Sequence, residues 1–170
     1  STYESTNIRN VALVGHKGTG KTSAAEAMMY TSGVTTRLNR VDDNNSILDT
    51  DPEEHKRIAS LSAAVCHVPW KDTKVNVLDT PGDGNFYTEA QNCVAVCEGV
   101  VSFVGAPDGV EPQTKRSFDR AGERGLSRIV FITKMDRERA DFDNCVNQVK
   151  EVLSSTATPL VIPIGSEESF

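Results

Sequence analysis

The sequence predicts an α/β fold, a mostly parallel central sheet flanked by helices on both faces, and three observations carry that prediction. Short apolar runs of strand character alternate with stretches of helical composition along the chain, the order from which parallel sheets covered on both faces are built. A glycine-rich loop, Gly15 to Gly20, stands between the first such strand and the first such helix, as in a strand–loop–helix unit. At 170 residues the chain can bury a substantial core within one domain.

The elements follow in order. Asn7 to Val14 reads Asn-Ile-Arg-Asn-Val-Ala-Leu-Val and ends in an apolar run, so the first strand is expected near Val11. Lys21 to Tyr30 reads as a helix beginning after Gly20. From Gly33 to about Arg57 the chain is polar and rich in acids, with Asn44-Asn45 and little periodicity, which predicts a surface loop. Strands are expected near Ala64 and Val75, turning at Lys71-Asp72-Thr73, so that the second runs antiparallel to the third. Further strands near Val101, Val130 and Val161 alternate with helices beginning near Phe86, Gln113 and Asp141.

Three motifs follow strands, and each suits a different part of one ligand. Gly15-His16-Lys17-Gly18-Thr19-Gly20-Lys21-Thr22 has the P-loop pattern in the strand-to-helix context that pattern requires. Its glycines let the backbone turn tightly and aim N–H groups at phosphate oxygens, and the helix N-terminus adds partial positive charge. Lys21 would reach the β- and γ-phosphates and the Thr22 hydroxyl would ligate Mg²⁺, so His16 to Ser23 are the candidate phosphate-binding residues. After the strand Lys74-Val75-Asn76-Val77-Leu78 comes Asp79-Thr80-Pro81-Gly82. Asp79 is placed to hold Mg²⁺ through water, and the Gly82 N–H to sense a γ-phosphate. On their own these are ordinary turn residues. After Arg128-Ile129-Val130-Phe131-Ile132 comes Thr133-Lys134-Met135-Asp136. The Asp136 carboxylate can accept from N1–H and the exocyclic amine of guanine, whereas adenine would leave it unpaired. Lys134 would lay its stem along the base plane. A P-loop serving an ATPase or kinase is the rival reading, and equal affinity for ATP and GTP would select it.

The chain resembles the nucleotide-binding domain of translation elongation factor G and its relatives, especially the second-type elongation factor G-like proteins. Beyond the three motifs the resemblance includes Asp51-Pro52-Glu53-Glu54, Lys56-Arg57, Trp70, Phe86 and Lys134-Met135-Asp136-Arg137 running into Ala140-Asp141-Phe142, and it extends from about Asn7 to Phe170. It implies a P-loop NTPase fold of the translational GTPase type, with Mg²⁺ and GTP or GDP as ligands, hydrolysis to GDP and phosphate, and action on the ribosome through the full-length protein. It also implies that the loop before Arg57 is a switch ordered by the γ-phosphate, that Ser60 takes the position of the metal-ligating switch threonine, and that the catalytic set is Lys21, Gly82 and Asp83. Departures accompany the agreements. Asp83 stands where the family carries a water-orienting histidine, and a carboxylate there brings negative charge toward an already anionic transition state. Slow hydrolysis is therefore expected, with a GTP-dependent binding module as the alternative. Thr133 replaces the usual Asn, with a hydroxyl still able to bridge toward the P-loop. Gly18 replaces an aspartate associated with a monovalent cation, Asn85 replaces the Asp before Phe86, and Ile58 and Ala59 replace the residues flanking Ser60. No convincing Ser-Ala base loop is present. Gly165-Ser166 is one candidate for it, and the resemblance instead matches Pro163-Ile164-Gly165 and Phe170 to the start of an inserted subdomain, so residues 1–170 are expected to be an incomplete G domain. Arg57 is a candidate phosphate contact or, equally, a solvated partner of Glu53 or Glu54.

Composition narrows the remaining classes. With 18 basic and 24 acidic side chains the formal charge is −6, and no dense Lys/Arg run offers a grip on nucleic acid, so direct DNA binding is not expected. No apolar run approaches the roughly 18 residues of a membrane span and no signal-peptide pattern opens the chain, which favours the cytoplasm. Cys66, Cys93, Cys97 and Cys145 show no Cys-x-x-Cys spacing and read as buried reduced thiols rather than a zinc site. His55 and His67 read as surface or packing residues, and His16 as a residue that shapes its loop.

Overall fold

The structure, a computed structural model, describes residues 3–43, 45–48 and 60–170. Among the described residues five strands form one sheet: β1 (Ile8–Gly15), β2 (Ala64–Trp70), β3 (Thr73–Asp79), β4 (Gly99–Gly105) and β5 (Ser127–Thr133), in the order β2-β3-β1-β4-β5. All neighbours pair in parallel except β2 with β3, whose two-residue turn at Lys71-Asp72 puts Lys71 at φ 52° and makes the predicted hairpin. The α-helices among these residues are α1 (Lys21–Thr31), α2 (Tyr87–Ala95), α3 (Pro112–Glu123) and α4 (Phe142–Gln148).

β1 shows why the sheet is covered twice. Ala12, Leu13 and Val14 are all fully buried, and because successive side chains point to opposite faces they enter two cores. Leu13 packs with Ala25 and Met29 of α1, Leu48, Val77 and Phe103. Ala12 and Val14 pack with Cys93 and Val94 of α2, Val100 and Ala121 of α3. A third cluster joins Val104, Ala106 and Met135 to Cys145 of α4.

The helix boundaries follow local chemistry. Gly20 enters α1 in the left-handed region at φ 86°, open to glycine at little cost. Pro112 opens α3, where its missing N–H is no loss. The Asp141 carboxylate caps α4 by accepting from Asn144 N at 2.9 Å. Phe86, expected near a helix start, ends a short 3₁₀ turn, Gly84–Phe86, that leads into α2.

The strand expected near Val161 does not form. Leu160, Val161, Ile162 and Ile164 are 70–91% exposed. Pro159 precedes that run and Pro163 interrupts it, removing two ladder donors and leaving too few residues between them to pair. The polar loop expected to end at Arg57 is described only as far as Leu48; Arg57, Ile58, Ala59 and His55 lie outside the described residues. No helix among the described residues is long and apolar enough to cross a membrane.

Candidate functional site

Parallel pairing brings the three motifs to one edge of the sheet. The register sets Leu13 beside Asp79, Gly15 beside Phe103 and Gly105 beside Thr133, so the P-loop, the Asp79 segment and the Thr133 segment all leave from strand C-termini on the same side. That edge is where open α/β sheets bind ligands.

The P-loop wraps its own lysine. Lys21 is buried, and its Nζ donates to the carbonyls of Gly15 at 3.2 Å and His16 at 2.9 Å. Burial pushes its pKa down to about 8, against the opposing pull of Asp79. Thr19, fully buried, ties the loop to itself through Oγ1 to His16 O at 3.0 Å. Beside it Gly82 comes so close that an added Cβ would stand 2.6 Å from the carbonyl of His16 and from the nitrogen of Lys17, so only glycine fits. Thr80, on the same segment, donates to Leu13 O at 2.7 Å and fixes the approach.

Three oxygen donors meet at one end of this cleft. The Thr22 hydroxyl donates to Asp79 Oδ2 at 2.6 Å and lies 3.2 Å from Ser60 Oγ. Hydroxyls and a carboxylate are the hard donors Mg²⁺ selects, so the residues fit that ion. Lys17, Gly18, Gly20 and Ser23 line the same cleft. Asp83 lines it too, but its Oδ1 accepts from Asn85 N at 2.9 Å and caps the 3₁₀ turn.

At the other end, Thr133 Oγ1 donates to Thr19 O at 2.8 Å, with Val104 O at 3.3 Å, which is the predicted bridge to the P-loop. Met135 is buried under the loop, while Lys134 holds φ 60°. Asp136, expected as the base reader, is 61% exposed beside Arg137 Nε at 3.7 Å. Gly165-Ser166 leads into a turn whose Glu167 donates from its N to Met135 O at 2.7 Å and accepts from Arg139 N at 2.6 Å. This turn packs on the Met135–Arg139 loop.

Val41 and Asp42 in the cleft wall, and Asp108 and Thr114 as the partners of His16, were not foreseen. His16 is held between Asp108, at 3.6 Å from Nε2, and Thr114, at 3.5 Å from Nδ1. Burial lowers the His16 pKa despite Asp108, so it fits the loop-shaping role. All four cysteines are buried free thiols, and among the described residues no group of three or more His, Cys, Asp or Glu could hold a metal.

Residues 6–166 match the family described as the elongation factor Tu GTP binding domain. Over 164 residues the chain is 40% identical to an elongation factor G-like protein of Thermotoga maritima, covering 96% of this chain and 23% of that protein. It is 37% identical over 166 residues to elongation factor G of Cytophaga hutchinsonii, covering 95% and 24%, and 34% identical over 164 residues to elongation factor G 2 of Desulfotalea psychrophila, covering 96% and 24%. The chain thus spans about a quarter of the length of these relatives. A crystal structure of a protein from Thermus thermophilus matches with a TM-score of 0.82 at 32% identity, over 86% of this chain and 22% of that one. The P-loop at the strand edge, the Asp79 and Thr133 segments beside it and the family match over residues 6–166 agree: the chain belongs to the elongation factor Tu GTP-binding-domain family, and is a GTP-binding domain of the elongation factor G type.

Proposed function

We propose that this domain binds Mg²⁺·GTP, hydrolyses it slowly to GDP and phosphate, and within its full-length protein switches conformation to act on the ribosome. The observation that carries the reading is the meeting of the P-loop, Thr22, Asp79 and Gly82 in one cleft, with Thr22 bonded to Asp79 at 2.6 Å and Gly82 seated on the His16–Lys17 backbone. Lys21 would exchange its two carbonyl partners for β- and γ-phosphate oxygens, and the loop amides would hold the same phosphates. Thr22, Ser60 and Asp79 would hold Mg²⁺, which when bound neutralises charge on the β- and γ-oxygens. The Gly82 N–H would follow the γ-phosphate and release its segment when that phosphate leaves. Lys134 and Asp136 would read guanine, with Thr133 tying the base loop to the phosphate loop.

The engagement of Asp83 as a cap favours a second reading, a GTP-dependent binding module with little turnover. Asp83 Oδ1 is already engaged by Asn85 N, and a carboxylate there would set negative charge against an anionic transition state. Calorimetric binding of GDP, GTP and ATP in Mg²⁺, repeated with Asp136→Asn, tests the base reader. Selective guanine binding that weakens about tenfold or more in the variant supports it; equal affinity for ATP sinks it. Single-turnover phosphate release with and without ribosomes then separates hydrolase from module, since no release under either condition would leave only the module.

A further inference from the structure

Glu26 is fully buried on α1, one turn beyond Lys21 and Thr22, and nothing in the chemistry above uses it. Its carboxylate accepts three hydrogen bonds, all from the loop that follows α1: Asn39 Nδ2 at 3.0 Å, Ser46 Oγ at 2.7 Å and Ile47 N at 2.7 Å. The loop also closes on itself, with Leu48 N donating to Ser46 Oγ at 3.2 Å and Arg40 N to Asn45 Oδ1 at 2.7 Å. Leu48 is seated in the core beside Leu13, Ala25 and Met29. A carboxylate taken out of water persists only where donors satisfy it, so three donors from one loop make that loop its partner.

The short turn Val41–Asp43 lies between these anchors, and Val41 and Asp42 wall the cleft that Lys17, Thr22, Ser60 and Asp83 also line. α1 therefore carries two references on one rigid body. Its first turn presents Lys21 and Thr22 to the cleft, and its second turn ties down the opposite wall.

We propose that Glu26 is a positioning residue for the guanine nucleotide: by clamping Asn39, Ser46 and Ile47 it holds Val41 and Asp42 against the cleft and slows nucleotide escape. This rests on the nucleotide-binding reading above.

The test measures release of a fluorescent GDP analogue in Mg²⁺, and hydrogen exchange of the nucleotide-free chain, for Glu26→Gln, Ser46→Ala and Asp42→Ala. Glu26→Gln keeps the shape but turns one acceptor into a donor facing donors, and it should speed release about tenfold or more. Exchange at Ile47 should rise with it while the β1 and β3 amides stay protected. Ser46→Ala, which removes one donor of three, should act in the same direction and more weakly. Asp42→Ala should speed release by itself and add little in the Glu26→Gln background, because both act through one wall. Unchanged release overturns the proposal, whether or not Ile47 exchange rises, and so does faster release with protection lost across the whole sheet. A wild-type chain that does not bind the analogue defeats the nucleotide reading instead. The clamp is then judged on exchange alone, where retained Ile47 protection in Glu26→Gln overturns it.

Discussion

If Lys21 is held near a pKa of about 8 in the nucleotide-free chain, binding a diphosphate must draw in a proton. Burial against the Gly15 and His16 carbonyls lowers the ammonium from its usual 10.5, and anionic phosphate within reach restores the charged form. With a pKa of about 8, the free amine makes up about one tenth of the molecules at pH 7, about half at pH 8 and about nine tenths at pH 9. GDP binding should therefore take up about 0.1, 0.5 and 0.9 proton at those pH values. Affinity should weaken by nearly tenfold toward pH 9. Calorimetry in two buffers of different ionisation enthalpy reads the uptake directly. Lys21→Arg supplies the contrast, because a guanidinium stays charged throughout. Uptake that is flat from pH 7 to 9, or that persists in Lys21→Arg, would refute the reasoning. Stability runs the opposite way with pH. The folded pKa lies below the unfolded one, so folding bears a cost of roughly 3 kcal/mol below pH 8 that fades as pH rises from about 8 toward 10.5. Cys66 and Cys97, pushed up by burial to about 11 and about 12, act oppositely. Their contribution is lost only above their unfolded value of 9.0, which leaves pH 7–9 as the window in which Lys21 dominates.

Three further outcomes are expected. Asp83→His should raise single-turnover phosphate release by roughly tenfold or more, equivalent to about 1.4 kcal/mol of barrier; an unchanged rate would show that the Asp83 side chain does not limit hydrolysis. Thr133→Val keeps the shape but strips the buried Thr19 carbonyl of its 2.8 Å donor, at about 1–3 kcal/mol and hence a fall of about 2–12 °C in the unfolding midpoint; calorimetric scanning showing a fall under about 1 °C would contradict the bridge. The raised thiols of Cys66 and Cys97 should resist alkylation at pH 8 in the native state and react on unfolding; rapid native labelling, followed by mass spectrometry, would count against their burial.

The readable parts of this chain were those whose chemistry is local. A P-loop needs consecutive residues, so Gly15 to Thr22 announced both the turn and its ligand, and the alternation around Lys71-Asp72 was enough to place the hairpin and its direction. Thr133 was legible as a bridge only through the resemblance, which puts it where the family carries an Asn, and its hydroxyl bonds Thr19 O. What escaped depends on contacts between distant residues. Glu26 sits among Ala24, Ala25 and Ala27 and looks like any helical acid until Asn39, Ser46 and Ile47 fold back onto it. Asp42 had no motif, only a place in a polar loop. The run Leu160 to Ile164 misled for the opposite reason: its hydrophobicity reads as a strand, but Pro159 and Pro163 withhold the amides a ladder requires. The exposure of Asp136, expected as the acceptor for a base, depends on the packing around it and is not written in its motif.

The hairpin of β2 and β3 has a mechanical meaning. Its register sets Ala64 opposite Asp79 and Trp70 opposite Thr73, so one end of the ribbon is yoked to the cleft and the other points away from it. Ser60 approaches Thr22 at the yoked end, four residues before Ala64. Chain length is therefore policed unequally along the ribbon. Extra residues at Lys71-Asp72 lengthen a distant tip and leave Thr22, Ser60 and Asp79 where they are. A single deletion between Ser60 and Ala64 draws the hydroxyl back by up to about 3.3 Å, farther than the contact it now makes with Thr22 can stretch.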